Sequence, residues 1–231
     1  MNKNITIAID GFSSTGKSTL AKQIAKSLSY VYVDTGAMYR AITFFAMQNG
    51  YITSVSFDKE TLIQNLPFIT LEFKFNAAVG FAEMYLNDLN VEKEIRTIEV
   101  SGFVSKVAEI DEVRTKLVEQ QQEMGKNKGI VMDGRDIGTV VFPDAELKIF
   151  MSASAPMRAQ RRYDELIAKG DQVTYEEVLK NVQERDYIDT NRSNSPLVRA
   201  ESAIEIDNSN LTRAEQFEMV IALINEVVKK A

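Results

Sequence analysis

The sequence contains no cysteine and no histidine among its 231 residues. The absence of cysteine excludes disulfide bonds and thiolate zinc sites. The absence of histidine excludes histidine-based catalytic triads, histidine-ligated metals and imidazole general bases. No apolar run approaches the roughly 20 residues of a membrane span, and the first residues show no signal-peptide pattern. We therefore expect a cytoplasmic protein without a membrane partner, whose chemistry depends on carboxylates, lysine, arginine, hydroxyls and a bound metal ion.

The charged residues are distributed unevenly along the chain. The formal net charge is −6, which argues against a nucleic-acid polymer as partner. Arginines nevertheless crowd one stretch, at Arg135, Arg158, Arg161, Arg162, Arg185, Arg192 and Arg199. A local arginine cluster in an acidic protein predicts a small anionic ligand rather than a polymer. We expect the chain to act as a monomer.

Alternating strand and helix patterns predict the fold class. Apolar, β-rich runs cover residues 5–9, 30–33, 129–132, 147–151 and 203–206. Most of them lack clean alternation, which is typical of parallel strands buried on both faces. Helical patterns cover residues 19–28, 36–49, 95–109, 111–126 and 211–229. Gly50 closes the second helix, Asp111 caps the fourth, and Thr212 or Asn210 caps the last. The sequence therefore predicts an α/β fold, with a five-stranded parallel sheet and helices on both faces.

Residues 66–93 interrupt this alternation and predict a small antiparallel β insert. Its strands are expected over 68–75 and 84–91, with a turn near 76–80. Alternation is visible in the first of these runs, where every second residue is apolar. We expect the insert to project from the α/β core.

The segment from Gly11 to Ser18 has the spacing G-x-x-x-x-G-K-S, directly after the first predicted strand and before the first predicted helix. This context is typical of a phosphate-binding P-loop, in which backbone N–H groups and a helix N-terminus hold phosphates. Lys17 can reach the β- and γ-phosphates, and the Ser18 hydroxyl can ligate Mg²⁺. The alternative is a glycine- and serine-rich turn before an ordinary helix.

Polar residues also follow the second predicted strand, at Asp34, Thr35, Gly36 and Arg40. They lie where ligands bind in open α/β sheets, at the carboxyl end of a strand. A plain helix cap would explain Asp34 and Thr35 equally well. Arg40 lies in an otherwise apolar helix and favours a bound anion.

The third predicted strand runs into Asp133, Gly134, Arg135 and Asp136. A carboxylate at the end of an apolar strand is typical of a Walker B residue that holds Mg²⁺. Gly134 allows a ligand to approach the backbone closely. Arg135 suits a bidentate contact with phosphate, and Asp136 can accept hydrogen bonds. The alternative is an exposed Asp-Gly turn with a salt bridge.

The polar stretch 189–196, which ends at Pro196, is the candidate for a mobile loop. Two arginine-rich groups at helical spacing lie before it and at its start. They comprise Arg158, Arg161 and Arg162, and Arg185, Asp189 and Arg192. Their spacing places each group on one helical face, provided that the second helix continues to Arg192. Charged faces on helices are usually solvated surface. In a P-loop protein, however, these arginines can belong to a lid that neutralises a transferring phosphoryl group.

The chain resembles the bacterial cytidylate kinases, within the nucleoside monophosphate kinase superfamily, over essentially its full length. The matching segments are the P-loop and residues 34–40, 94–97, 133–145, 148–150 and 184–192. The block 133–145 is the most specific of these. The resemblance implies a kinase core over 1–65 and 94–231, a lid over about 153–195 and a monophosphate-binding insert over about 66–93.

The resemblance also implies roles for individual residues. ATP would contact Gly11, Phe12, Ser13, Ser14, Thr15, Gly16, Lys17, Ser18, Thr19 and Arg161. The acceptor nucleotide would contact Asp34, Thr35, Arg40, Ser105, Arg114, Asp133, Gly134, Arg135, Asp136, Arg185, Asp189 and Arg192. The catalytic group would comprise Lys17, Arg135, Arg158, Arg162, Arg185 and Arg192. Ser18 and Asp133 would hold the Mg²⁺.

Within the acceptor set, the resemblance places Ser105, Arg114 and Asp136 nearest the cytosine base. It places Arg40, Arg135 and Arg192 at the phosphate, and Arg185 and Asp189 at the sugar. The sequence departs from many relatives at Phe12 and Ser14, where proline and glycine are common, and at Thr35, where serine is common. None of these departures removes a required donor or charge.

The implied reaction is transfer of the γ-phosphoryl group of ATP to CMP or dCMP, with Mg²⁺. The acceptor phosphate has a second pKa of about 6 and is already a dianion near neutrality, so the chemistry needs no histidine base. Other acceptors within the superfamily, such as UMP, dephospho-coenzyme A or a small alcohol, are alternatives. A GTPase-like switch would require an N-K-x-D motif, whereas Asn127-Lys128 is followed by Gly129-Ile130.

Overall fold

The computed structural model describes residues 4–230, which form two compact units. One unit combines the chain up to Val33 with the chain from Met124 onward, and the other comprises Asp34–Glu123. The β insert lies in the second unit. The domain limits drawn from the sequence, at 65/66 and 93/94, stay a prediction.

In chain order, the strands are β1 (Thr6–Gly11), β2 (Val31–Asp34), β3 (Leu71–Asn76), β4 (Phe81–Leu86), β5 (Leu89–Asn90), β6 (Ile130–Gly134), β7 (Leu147–Ser152) and β8 (Ile204–Asp207). The α-helices are α1 (Lys17–Leu28), α2 (Thr35–Gln48), α3 (Lys59–Asn65), α4 (Ile98–Val107), α5 (Asp111–Met124), α6 (Ala155–Ala168), α7 (Tyr175–Asn191) and α8 (Arg213–Lys230). Two 3₁₀ turns, at Leu66–Phe68 and Glu94–Arg96, and a π-helix at Ile137–Val141 lie between them.

The predicted five-stranded sheet is confirmed, with the order β2-β6-β1-β7-β8. β1 pairs in parallel with β6 and β7, and β7 pairs in parallel with β8. Every residue of β1 is buried, which explains why its sequence lacks a polar face. Each strand ends one or two residues later than predicted because polar residues, such as Asp10 and Asp133, still pair through their backbones.

Helices α1 and α8 pack their apolar faces against this sheet. Leu20 and Ile24 of α1, Val220 and Ile224 of α8 and Ile7 of β1 are buried in one cluster. Burial of each such side chain stabilises the fold by about 1.5–3 kcal/mol. The cluster therefore fixes α1, and with it the loop at its N-terminus, against the sheet.

The predicted last helix is confirmed and begins at Arg213. The Thr212 hydroxyl accepts a hydrogen bond from the Glu215 backbone N–H at 3.2 Å, and the Glu215 carboxylate accepts one from the Thr212 N–H at 2.8 Å. This reciprocal pair is a capping box, so Thr212 rather than Asn210 caps the helix. Across residues 4–230, no helix combines the length and apolarity that a bilayer crossing requires.

The mobile-loop prediction for 189–196 is wrong in its first three residues. α7 continues to Asn191, and Asp189 is buried with its carboxylate bound by Arg135. Arg192 is the C-cap residue, with extended backbone angles. The helical face expected to run from Arg185 to Arg192 therefore ends one residue early.

The β insert is confirmed as antiparallel, in the order β3-β4-β5, but its second strand was predicted wrongly. Asn87 and Asp88 have positive φ values of +46° and +66°, and they form a tight turn that divides the predicted strand 84–91 into β4 and β5. The first strand begins at Leu71 rather than 68, because Pro67 lies in a 3₁₀ turn.

The helices after the insert are shorter than predicted. The expected helix 95–109 begins as a 3₁₀ turn and becomes α4 only at Ile98, where the Thr97 hydroxyl accepts from the Val100 N–H. α5 starts at Asp111, so this residue lies in the first helical turn, and its role as the cap stays a prediction. Its carboxylate still favours the positive end of the helix dipole. Sequence patterns did not predict α3.

Candidate active site

The predicted P-loop leaves β1 at Gly11 and enters α1 at Lys17. Gly11 has a φ of +141°, and a Cβ atom there would lie 2.0 Å from the Met151 carbonyl oxygen, so only glycine fits. Gly16 and Ser14 also have positive φ values, +92° and +58°. Ser14 therefore adopts a left-handed conformation that glycine would tolerate at lower cost.

Lys17 is buried inside this loop. Its ammonium group donates to the Phe12 carbonyl oxygen and to the Thr15 hydroxyl, at 3.3 Å for the latter. Burial, with the neighbouring Arg135, lowers the pKa of Lys17, and the carboxylates of Asp133 and Asp10 oppose that change. An anion beside the ammonium group would favour its charged form. The loop therefore holds a lysine whose charged form a neighbouring anion would stabilise.

Asp133 lies at the end of β6 and meets the P-loop directly. The Ser18 hydroxyl donates to Asp133 Oδ2 at 2.9 Å, and the Tyr32 hydroxyl donates to Asp133 Oδ1 at 2.8 Å. The structure thus brings together the two residues that the sequence assigned to Mg²⁺. Both offer oxygen, the ligand type that Mg²⁺ prefers. Residues 4–230 contain no cluster of three or more carboxylates that could hold a metal, so these two fit a cation that takes its other ligands from phosphates and water.

Asp10 connects β1 to the block that follows β6. Its two carboxylate oxygens accept hydrogen bonds from the backbone N–H groups of Ile137, at 2.8 Å, and Gly138, at 2.7 Å. Burial raises the pKa of Asp10 to about 7, although both backbone donors oppose this. Sequence reasoning did not identify Asp10 as a site residue, although its position one residue before Gly11 of the P-loop could have indicated it.

Arg135, Asp136, Asp189 and Arg192 come together in the same unit. Arg135 Nε donates to Asp189 Oδ2 at 2.8 Å, and Arg192 Nη2 lies 4.0 Å from Asp136 Oδ1. Burial alone raises the pKa of Asp189, but Arg135, Arg185 and Arg192 together hold it below its usual range. Each of these aspartates is therefore partnered by arginine.

The three arginines of α6 have different partners. Arg158 donates to Asp186 and to the carbonyl oxygens of Ala153 and Ser13, and its guanidinium lies 5.0 Å from the Phe12 ring centroid.

Arg161 donates to the side-chain and backbone oxygens of Asn208, whose amide reaches the Thr15 carbonyl oxygen. Arg162 pairs with Glu165 at 3.0 Å. Sequence reasoning missed Asp186 and Asn208, which bridge elements far apart in the chain.

In the unit Asp34–Glu123, Asp34 is the N-cap of α2 and accepts from the Ala37 N–H at 3.0 Å, whereas Thr35 is already the first helical residue. The contact of Asp34 with a nucleotide stays a prediction. Arg96 Nη1 lies 2.8 Å from Asp34 Oδ2, and Arg40 Nη1 lies 3.9 Å from Oδ1. Burial alone raises the pKa of Asp34, but the two arginines hold it well below its usual range. Glu92 holds Arg96 from the other side at 2.7 Å.

The remaining predicted residues of this unit lie on three helices. Thr35 is the first residue of α2 and is buried, and Ser105 is buried on α4. Arg114 of α5 is buried, donates to the Ala108 carbonyl oxygen at 3.2 Å and lies over the Tyr39 ring. The contacts of these residues with a nucleotide stay predictions.

This chain is similar to known proteins in family, sequence and fold. A family model described as cytidylate kinase matches residues 7–226. A cytidylate kinase of Flavobacterium johnsoniae is 74% identical over 227 residues, 98% of this chain and 99% of the relative. One of Flavobacterium psychrophilum is 71% identical over 97% of this chain and 100% of the relative.

A gluconokinase structure from Sinorhizobium meliloti 1021 covers 100% of this chain and 97% of its own, with a TM-score of 0.51 and 13% identity, which supports the fold alone. The family match and the sequence identities extend over nearly the whole chain, and both point to the resemblance that its motifs predicted. This chain belongs to the cytidylate kinase family.

Proposed function

We propose that the protein transfers the γ-phosphoryl group of ATP to CMP or dCMP, giving ADP and the nucleoside diphosphate. The main support for ATP as the donor is the hydrogen bond of 2.9 Å from the Ser18 hydroxyl to Asp133 Oδ2. It joins the phosphate loop to a carboxylate at the end of a strand. The choice of cytidylate as the acceptor rests on the match to the cytidylate kinase family.

The donor phosphates would lie on Gly11–Ser18, with Lys17 at the β- and γ-phosphates. Ser18 and Asp133 would hold Mg²⁺, which when bound neutralises charge on the donor phosphates. The bonds of Lys17 to Phe12 and Thr15 support this placement, because they already hold its ammonium group inside the loop.

The acceptor needs positioning more than activation. Its phosphate is a dianion near neutral pH, with a second pKa of about 6, so no side chain must remove a proton. We propose that Arg135 and Arg192 bind this phosphate and that Arg185 and Asp189 bind the sugar. The pairing of Arg135 with Asp189 supports this proposal because it fixes the guanidinium before the substrate binds.

Base recognition is assigned to Asp136, Ser105 and Arg114, and further acceptor contacts to Asp34, Thr35, Arg40, Asp133 and Gly134. Asp34 fits such a role because it holds Arg40 and Arg96 near the start of α2. The burial of Ser105 and Arg114 also supports the assignment, since buried polar side chains give the strongest discrimination between bases.

The helices α6 and α7 are proposed to form the lid, with Arg158, Arg161 and Arg162 on its donor side. Closing such a lid excludes water, which otherwise competes with the acceptor for the phosphoryl group. We also infer that the enzyme works as a cytoplasmic monomer on small nucleotides. The net charge of −6 supports the absence of a nucleic-acid partner.

A coupled assay of ADP release tests the function. The panel comprises CMP, dCMP, UMP, dephospho-coenzyme A and a small alcohol, each with ATP and Mg²⁺, and with EDTA as control. We expect turnover with CMP and dCMP well above the others, and none with EDTA. Equal rates across the panel would reject the assigned acceptor, and GTP hydrolysis without any acceptor would favour the switch alternative.

A further inference from the structure

Tyr32 of β2 makes a contact to which the proposed reaction gives no role. Its hydroxyl donates to Asp133 Oδ1 at 2.8 Å, while Ser18 from α1 donates to the other oxygen, Oδ2. The two oxygens of one carboxylate are thus held by two different elements. The Lys22 ammonium lies 5.6 Å from the Tyr32 ring centroid, close enough to restrict the ring.

The two hydroxyls are not equivalent. Ser18 is assigned to the cation itself, so its hydroxyl cannot serve only to orient Asp133. The carboxylate of an aspartate rotates readily about its last bond, and a hydrogen bond to one oxygen fixes the direction of the other. In metal sites such supporting hydrogen bonds orient the ligand and raise the affinity for the metal.

We propose that Tyr32 is a positioning residue for the cation that accompanies the nucleoside triphosphate. By holding Oδ1, it directs Oδ2 of Asp133 toward the cation beside Ser18. This inference rests on the proposed function, because it requires a magnesium–nucleotide complex on Gly11–Ser18.

The test is Tyr32→Phe, which removes the hydroxyl and keeps the ring. Tyr30→Phe is the matched control, because the Tyr30 hydroxyl accepts from the Ile5 backbone N–H at 3.1 Å and makes no contact with Asp133. ADP binding is measured by calorimetry in EDTA and at increasing Mg²⁺ concentrations, and circular dichroism compares the folds. We expect Tyr32→Phe to raise the half-saturating Mg²⁺ concentration about tenfold. Binding in EDTA should be unchanged, and Tyr30→Phe should match the parent protein in both conditions.

Two results overturn the inference. One is an unchanged Mg²⁺ dependence in Tyr32→Phe. The other is an equal loss of ADP affinity with and without Mg²⁺, which would show that the hydroxyl maintains the conformation of the loop instead. If the parent protein binds no ADP at all, the proposed function fails instead.

A second measurement uses Asp133→Asn alone and with Tyr32→Phe. If Tyr32 acts through Asp133, the two losses of Mg²⁺ affinity do not add. Additive losses would contradict the inference even if Tyr32→Phe alone weakens Mg²⁺ binding.

Discussion

Arg158 and Asp186 form a two-point ion pair between α6 and α7, with Arg158 Nη1 3.0 Å from Asp186 Oδ1 and Nη2 in contact with Oδ2. The Arg158 side chain is only 4% exposed, and Nη1 also donates to the Ser13 carbonyl oxygen at 3.2 Å. The guanidinium of Arg158, on α6, therefore contacts both α7 and the loop that follows β1.

We expect Asp186→Asn to weaken this connection. Loss of a charge-assisted pair should lower the free energy of unfolding by about 1.5–3 kcal/mol, and the KM for ATP should rise because Ser13 loses a fixed neighbour. Urea denaturation and initial rates measure the two effects. Lys180→Gln on the same helix is the control, since its side chain is 77% exposed and its ion pair contributes little. Equal stability of both variants would contradict the prediction.

Lys17→Ala should abolish most turnover while the fold is retained. Lys17 is the cation confined within the P-loop, and loss of one preorganised donor costs about 100-fold or more in kcat. The coupled ADP assay and thermal unfolding measure both properties. Lys26→Ala, at an exposed position of the same helix, provides the control. Near-normal activity of Lys17→Ala would reject the P-loop assignment.

Ser105→Ala should reduce the preference for CMP over UMP. If Ser105 contacts the base as proposed, its substitution removes one hydrogen bond worth up to about 1.4 kcal/mol, and the ratio of kcat/KM for CMP to that for UMP would fall by as much as about tenfold. Ser101→Ala, one turn earlier on α4 and also buried, is the control for a lost hydroxyl. The same test applies to Asp136→Ala. An unchanged preference for CMP over UMP would show that these side chains do not recognise the base.

The Asp34–Arg96 pair should make stability depend on pH. Because the folded-state pKa of Asp34 lies below its unfolded value of about 3.9, its contribution is fully present above that pH and is lost as the pH falls toward the folded pKa. Arg96→Gln should therefore destabilise the protein more at pH 7 than at pH 3. Urea denaturation at both values tests this, and a constant difference would contradict it.

Much of the fold could be predicted because its signals are local. Buried parallel strands give short apolar runs, and amphipathic helices repeat every three or four residues. Ser18 and Asp133 are 115 residues apart, yet their meeting followed from motifs that mark the ends of neighbouring strands. The turn at Asn87 and Asp88 was missed although both residue types favour positive φ, because the surrounding apolar residues resembled one continuous strand.

The supporting contacts of the site could not be predicted in the same way. Tyr32 and Asn208 lie outside the recognised motifs, and Asp10 and Asp186 lie beside or within motifs that assign them no role. Asn208 reaches Thr15 across 193 residues, and Asp10 reaches Ile137 across 127. Periodicity and spacing describe which face of an element is buried, but they do not specify which polar partners meet across that face.

The two hydrogen bonds that Asp10 accepts also limit where this protein can gain or lose residues. Surface loops usually tolerate insertions and deletions well. The segment from Gly134 to Gly138 is different, because β6 fixes its start and the Asp10 carboxylate fixes its end through consecutive backbone N–H groups. One added residue would offer Asp10 the wrong pair of N–H groups and turn Asp136 in a new direction. In homologous chains we therefore expect gaps to fall elsewhere, with this interval constant in length even where its side chains differ.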